Sequence, residues 1–463
     1  MVFLIYLQIA LLASFVIFVF FMEGKNVKLF NPPILISIIY LIEYGVSTLY
    51  MVSDPAHFWR YDFYEIGIVN KGLLFVNLVF ILFLLGYYSP KYSIGIRNWI
   101  VKIIDKIPDI NKYTIQIKNL ILMIVILLIA GWTARILVIL CGGYYHIESG
   151  NAQAVKSEFY DTYSQYLVMG SLLPTIALSL IFSEWLTKNK QSYLFVSVLF
   201  LLLEILYALP SGSKERILLP ISLVLFMYSL KKKLPIIPLL ITVVLFILFV
   251  FPFVGIYRNI VLSGNVFNDM LLVSYIYFQL FENFGVTISE IFNYIFADRF
   301  NFSIVISAIV EKTPAVWDFK YGYTYFIFFL SIIPRIIWPD KPGIAIYGNE
   351  FGRMYGFISP VDFGTSIDMG WVGEMFVNFG WFGIVCGFFY GLFYRVIYEY
   401  FIRDGRFTPL SGIFYVLTLY YMLRGGMFAL QFSGLMKILL VVCIILLPFA
   451  RRVKRRTQKQ EML

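Results

Sequence analysis

A short polar run, PSGSKER at residues 210–216, sits between two apolar stretches and carries the residue types needed to hold an anion. Ser211 and Ser213 are good helix N-caps, and Gly212 allows a tight turn. A helix starting there offers free N–H groups and the positive end of its dipole. Lys214 and Arg216 add two cations, and a guanidinium grips phosphate through paired hydrogen bonds. The competing reading is a polar helix start whose arginine meets lipid headgroups.

Other residues with chemical potential are scattered along the chain. Arg135 and Glu204 each lie a few residues inside an apolar stretch, where a charge is costly and faces a partner or a cavity. They are expected to pair, either for structure alone or as part of a cavity lining. In IIPRIIWPDKPG (residues 332–343), three prolines break any helix around Arg335, Trp338, Asp340 and Lys341. Trp338 is placed to stack on a sugar or to sit at the headgroup level. In residues 365–393, Asp368 and Glu374 are candidate general bases for a partly dry site. The glycines that follow, at spacings of three and four, read as close-packing positions. His57 and His146 form no triad-like pattern, and Cys141, Cys386 and Cys443 form no disulfide or zinc motif. No P-loop, GxGxxG or DxD-type metal site is present, so a nucleotide-binding enzyme is disfavoured.

The elements that must position these residues are membrane helices. The chain has 463 residues, of which 60% are hydrophobic and only 14% charged, with a mean hydropathy of +0.82. Soluble domains average about 25% charged residues. Apolar blocks of about 18–22 residues recur, the length that crosses a hydrocarbon core of about 30 Å. Spans are expected at 2–22, 33–52, 67–87, 117–140, 166–185, 193–209, 217–230, 235–253, 371–398, 408–423 and 435–449. The seventh is short and is expected to begin earlier, inside the polar run. The expected fold is therefore all-α and polytopic, with about eleven spans in one domain over residues 1–450 and a basic tail at 451–463. Residues 2–22 lack a basic leader and a cleavage site and read as a first span rather than a signal peptide.

Basic loops orient such a bundle. Lys91, Arg97, Lys102, Lys106, Lys112 and Lys118 crowd the third connection. Lys188, Lys190, Lys231, Lys232, Lys233, Arg403, Arg406 and the RRVKRR run from Arg451 fall on odd-numbered connections or the tail. The N-terminus is thus expected outside and the C-terminus in the cytoplasm. The net charge of +10 is a topology signal and a contact with membrane lipids, not a nucleic-acid footprint. Against that bias, Arg135, Lys214, Arg216, Arg258, Arg299, Arg335, Lys341, Arg353 and Arg424 fall on or near the outer side. Residues 254–370 read as a long outer segment, rich in aromatics. Its stretches 271–281 and 323–338 lie in the interface, re-enter, or cross as a pair that brings the count to thirteen.

The layout, the outer SGSKER, the PRIIWPDKP turn and the GE…NFGWFG…G segment together resemble the Wzy-type oligosaccharide repeat-unit polymerases of O-antigen and capsule synthesis. The motifs occupy about sixty residues from Pro210 onward. The resemblance implies a membrane fold like that of lipid-linked-sugar glycosyltransferases (GT-C-like) in the bacterial plasma membrane. It implies a polyprenyl-pyrophosphate-linked oligosaccharide as substrate, no cofactor, and a chain-length regulator and a flippase as pathway partners. Carried onto this sequence, Arg216 and Arg335 lead as pyrophosphate ligands, with Lys214, Arg258 and Arg424 behind. Glu374 ranks first as general base and Asp368 second. O-antigen ligases, a related alternative, usually carry an outer-loop histidine, and residues 254–370 have none. A flippase or other transporter would place charges along a path through the bundle. Glu43, near the centre of the second span, is the main residue of that kind.

Overall fold

The computed structural model describes residues 1–24, 30–53, 66–115, 117–140, 163, 166–211, 213–232, 241, 244–260, 266–281, 300–333, 338, 345–363, 365–402, 408–423 and 425–452. The chain is an all-α polytopic membrane protein. Among the described residues, eight helices are long and apolar enough to cross a membrane, and four apolar helices are shorter.

In chain order the helices begin with α1 (Val2–Glu23), α2 (Pro32–Tyr40), α3 (Ser47–Ser53), α4 (Ile66–Tyr92), α5 (Ile94–Lys106) and α6 (Ile117–Leu140). They continue with α7 (Leu173–Lys188), α8 (Gln191–Ala208), α9 (Lys214–Lys231), α10 (Phe251–Ile260) and α11 (Val266–Phe281). The remaining helices are α12 (Phe302–Lys312), α13 (Tyr323–Ile332), α14 (Ala345–Met354), α15 (Gly370–Phe379), α16 (Ile384–Ile402), α17 (Pro409–Leu423) and α18 (Phe428–Leu446). Two three-residue strands, β1 (Tyr113–Ile115) and β2 (Ala450–Arg452), pair antiparallel.

That strand pair fixes one relation that hydropathy only implied: the basic third connection and the basic C-terminal segment lie together on one face. Lys91 at the end of α4 also donates to the Met22 carbonyl at the end of α1, 3.1 Å away. The opposite face holds the starts of α1 and α4, where Met1 approaches Gly67.

The first six expected spans coincide with helices, and α9 begins at Lys214, inside the polar run as expected. Of the eighth, residues 235–240 and 242–243 lie outside the described residues. Two spans differ. The ninth, expected as one helix over 371–398, is broken into α15, a 3₁₀ turn at Gly380–Gly383 and α16. Gly380 takes φ +56, a left-handed value that ends α15. The Lys320 and Tyr321 N–H groups cap the carbonyls of Val377 and Asn378 at 3.0 and 3.1 Å. The eleventh starts at Phe428 rather than Leu435, because Gln431 and Ser433 are buried in the bundle and not at its surface.

The core is built on α4 and α16. A Cβ at Gly391 would lie 1.9 Å from the Phe83 carbonyl oxygen, and one at Gly86 would lie 2.0 Å from that of Phe388. The two backbones touch because neither residue has a side chain, which is the packing role the glycine spacing indicated. Gly391→Ala is therefore expected to cost about 1–3 kcal/mol by overpacking. A thermal melt should show the loss, with Gly95→Ala on exposed α5 as a neutral control.

Among the described residues of 254–370, two helices pack against the other helices of the bundle. On α12, Ser303 shares hydrogen bonds with Ser47 and Thr48 of α3 at 3.2 and 2.6 Å, and α13 packs along α18.

Candidate functional site

Two polar cavities flank the last turn of α17. On one side, Arg135 of α6 and Glu204 of α8 form the ion pair expected from sequence, Nη2 to Oε2 at 2.7 Å. The pair is sealed: Arg135 is 1% exposed and Glu204 4%. Arg135 Nε donates to the Ser171 carbonyl at 3.0 Å, and Thr175 donates its hydroxyl to the same Glu204 oxygen. The guanidinium lies 4.0 Å from the Tyr207 ring centre and 5.0 Å from that of Trp132. Its remaining nitrogen, Nη1, is buried with no hydrogen-bond partner.

Arg216 comes to the same place from the first turn of α9, and its Nη1 is likewise buried and unpartnered. Arg135, Glu204, Arg216, Tyr207, Tyr420 and Tyr421 share the wall of a cavity of about 220 Å³. Two guanidinium nitrogens with unused protons, beside one carboxylate, leave this cavity with net positive charge and spare donors. Such groups are expensive to leave dry and unpaired, and an anion would satisfy both. Lys214 opens α9 but does not line this cavity.

On the other side are the carboxylates. Asp368 precedes α15, is exposed, and accepts the Gly370 N–H at 2.9 Å. It lies against the α17–α18 turn, where a Cβ at Gly426 would come within 2.5 Å of its Oδ2. Gly426 has φ +101, so only glycine sits there without strain. Glu374, four residues into α15, is fully buried, and its Oε2 accepts the Phe428 N–H at 2.7 Å. It thereby clamps the start of α18, where a carboxylate also meets the positive helix end. A small cavity of about 20 Å³ beside them is lined by Glu43, Tyr40, Trp371, Tyr394, Met422 and Gly425.

The depth of this arrangement is set by helix length. α17 has 15 residues, which span about 22 Å at 1.5 Å each. It runs antiparallel to α16, with Tyr415 against Phe401 and the Tyr394 hydroxyl donating to the Met422 carbonyl at 2.6 Å. Tyr394 in turn packs on Phe83, in the half of α4 nearer the strand pair. The turn after α17 is therefore sunk within the bundle. Tyr420 and Tyr421 border the cationic cavity, while Met422, Leu423 and Gly425 border the acidic one.

Glu43 is the site residue that sequence reasoning left out of the carboxylate group. Its position mid-span was the available signal, since an ionisable group there is functional by default. The π-turn that carries it, Leu41–Val46, had no signature in the sequence. Of the other expected ligands, Arg335 and Arg424 lie outside the described residues, as do His57, His146 and Cys141. The backbone of Arg258 belongs to α10, but its side chain is outside the described set. Trp338 is 38% exposed and lines neither cavity. Among the described residues, no three His, Cys, Asp or Glu side chains gather where they could hold a metal.

One protein family matches the chain, a domain of unknown function designated DUF8712, over residues 146–446. The matched region carries Glu204, Arg216, Asp368 and Glu374, while Arg135 and Glu43 precede it. No curated protein and no solved structure matches the chain.

Proposed function

This chain belongs to the DUF8712 family, and for it we propose the activity of a membrane polysaccharide polymerase acting on polyprenyl-pyrophosphate-linked oligosaccharides. The observation that carries the proposal is the pair of unpartnered guanidinium nitrogens, on Arg135 and Arg216, in one cavity. Across the end of α17 from them, Glu43 lines the smaller cavity, while Asp368 lies against the α17–α18 turn and lines neither cavity. A cavity of about 220 Å³ suits a pyrophosphate and not a whole oligosaccharide, so the glycan lies outside it. The reading further places this site toward the outer face of a bacterial plasma membrane, with eleven spans, an outside N-terminus and a cytoplasmic C-terminus.

In the reaction, a hydroxyl of the incoming lipid-linked unit attacks the anomeric carbon of the growing chain. The bond from that carbon to the pyrophosphate oxygen breaks as the new glycosidic bond forms. Arg135 and Arg216 hold the departing polyprenyl pyrophosphate, whose charge rises as the bond breaks. A carboxylate accepts the hydroxyl proton. Asp368 is the better placed base, because it is exposed whereas Glu374 is sealed. Glu374 is then a positioning residue that holds α18, and hence the turn, in place. Trp338, Lys214, Arg258, Arg335 and Arg424 remain candidates for contacts to the glycan and the second phosphate.

Two conservative variants separate these roles. Asp368→Asn is expected to lower the polymerisation rate about 10²–10⁴-fold, the usual contribution of a general base. Glu374→Gln keeps an oxygen for the Phe428 N–H and is expected to retain most activity. The reverse ranking of the two rates would reassign the base to Glu374.

A transporter reading has one observation in its favour, the mid-span Glu43 beside a broken helix. A flippase would move the lipid-linked unit across a liposome membrane without lengthening its glycan.

A further inference from the structure

On the face that carries the basic third connection, a second charged cavity lies well away from the site above. α5 follows α4 after a sharp turn at Ser93, whose side chain accepts the Ile96 N–H and caps the helix. α5 is amphipathic, and its surroundings expose large apolar side chains: Tyr92, Ile94, Trp99 and Ile107. Such a helix lies in the membrane interface.

Between α5 and the ends of α4 and α16 is a cavity of about 350 Å³ lined by Lys91, Arg97, Arg395 and Glu399. Arg395 is held over the Tyr87 ring, 5.4 Å from its centre, and pairs with Glu399. Its Nε is buried without a hydrogen-bond partner. Three cations against one carboxylate leave a net positive charge. Around the same turn of α4, residues 88–93, the wall changes character. Tyr88, Ser89, Tyr92 and Ser93 face an apolar groove of about 750 Å³ that continues along Phe18 and Phe388. A cationic cavity and an apolar groove lined by alternating residues of one chain segment, Ser89 and Tyr92 on the groove and Pro90 and Lys91 on the cavity, suit a phosphate carrying long hydrocarbon chains.

We propose that this is a binding site for one anionic glycerophospholipid of the surrounding leaflet. Its phosphate sits among Lys91, Arg97 and Arg395, and an acyl chain lies in the groove between α1, α4 and α16. The site is independent of the polymerase reading, since none of these residues lines either cavity beside α17.

The test is native mass spectrometry of the full chain in detergent, titrated with phosphatidylglycerol or with phosphatidylcholine of the same acyl chains. Phosphatidylglycerol is expected to bind at least tenfold more tightly, and glycerol phosphate, which lacks the chains, should not displace it. Lys91→Gln with Arg97→Gln is expected to weaken phosphatidylglycerol by on the order of fivefold per cation removed. Glu399→Gln, which removes the one carboxylate from the cavity, should tighten it. The gain in the last variant cannot come from misfolding. Equal binding of the two lipids, full displacement by glycerol phosphate, or unchanged affinity in Glu399→Gln would overturn the proposal.

Discussion

Arg216→Ala is expected to abolish polymerisation while leaving the protein inserted in the membrane in normal amounts. Arg216 sits in the first turn of α9, and its buried Nη1 has no protein partner. Removing it therefore breaks no hydrogen bond at that atom that the fold depends on. On the proposed mechanism, what is lost is a charged donor to the leaving pyrophosphate. Loss of one such donor costs about 10²–10³ in rate in related electrostatic sites, and more where the donor also binds the substrate. Arg216→Lys restores the charge but not the planar fork, so partial recovery is expected. Initial rates for the three proteins at equal membrane abundance check this. Wild-type rates for Arg216→Ala would remove the cationic cavity from the mechanism.

Arg135→Met is expected to be the most destabilising single change in the bundle, and its effect goes beyond catalysis. It removes the partner of Glu204 in a site where both residues are sealed, and it takes away a donor to Ser171. Breaking a buried pair by removing one partner costs about 3–5 kcal/mol, because the other charge is left alone. Combining Arg135→Met with Glu204→Gln should recover much of that stability, since no buried charge remains. It should not recover activity if Arg135 Nη1 contacts the substrate. A thermal melt and a polymerisation rate on the single and double variants separate the two contributions. A double variant that regains full activity would make the pair purely structural.

The residues that sequence reading located well are those whose cost in an apolar span is large. Arg135 and Glu204 were paired from depth alone, because each charge needs a partner and few were available. Arg216 stood out because topology gave no reason for a cation there. The same reasoning did not recover how the spans fold back on one another. Hydropathy measures apolar length, and α15, the 3₁₀ turn and α16 together average as one apolar stretch, so the break at Gly380 left no trace in it. Apolar length gave the bounds of the short α17, expected at 408–423 and observed at Pro409–Leu423, but not that its turn lies inside the bundle. That geometry brings Glu43 of the second span beside Trp371 and Gly425, over three hundred residues away. Exposure was also not legible, and it is exposure that separates Asp368 from the sealed Glu374. Short elements escaped for a related reason, since α5 is too polar to register as a span and β1 and β2 are three residues each.

The central claim is that this membrane protein joins lipid-linked oligosaccharides, and one reconstitution tests it directly. Purified, folded protein is supplied with the cognate polyprenyl-pyrophosphate-linked repeat unit, without nucleotide or added metal, and the products are separated by length. The account predicts a ladder of longer lipid-linked glycans that disappears with Arg216→Ala. Transfer of the unit across a liposome membrane with no change in its length would contradict it and make the protein a transporter.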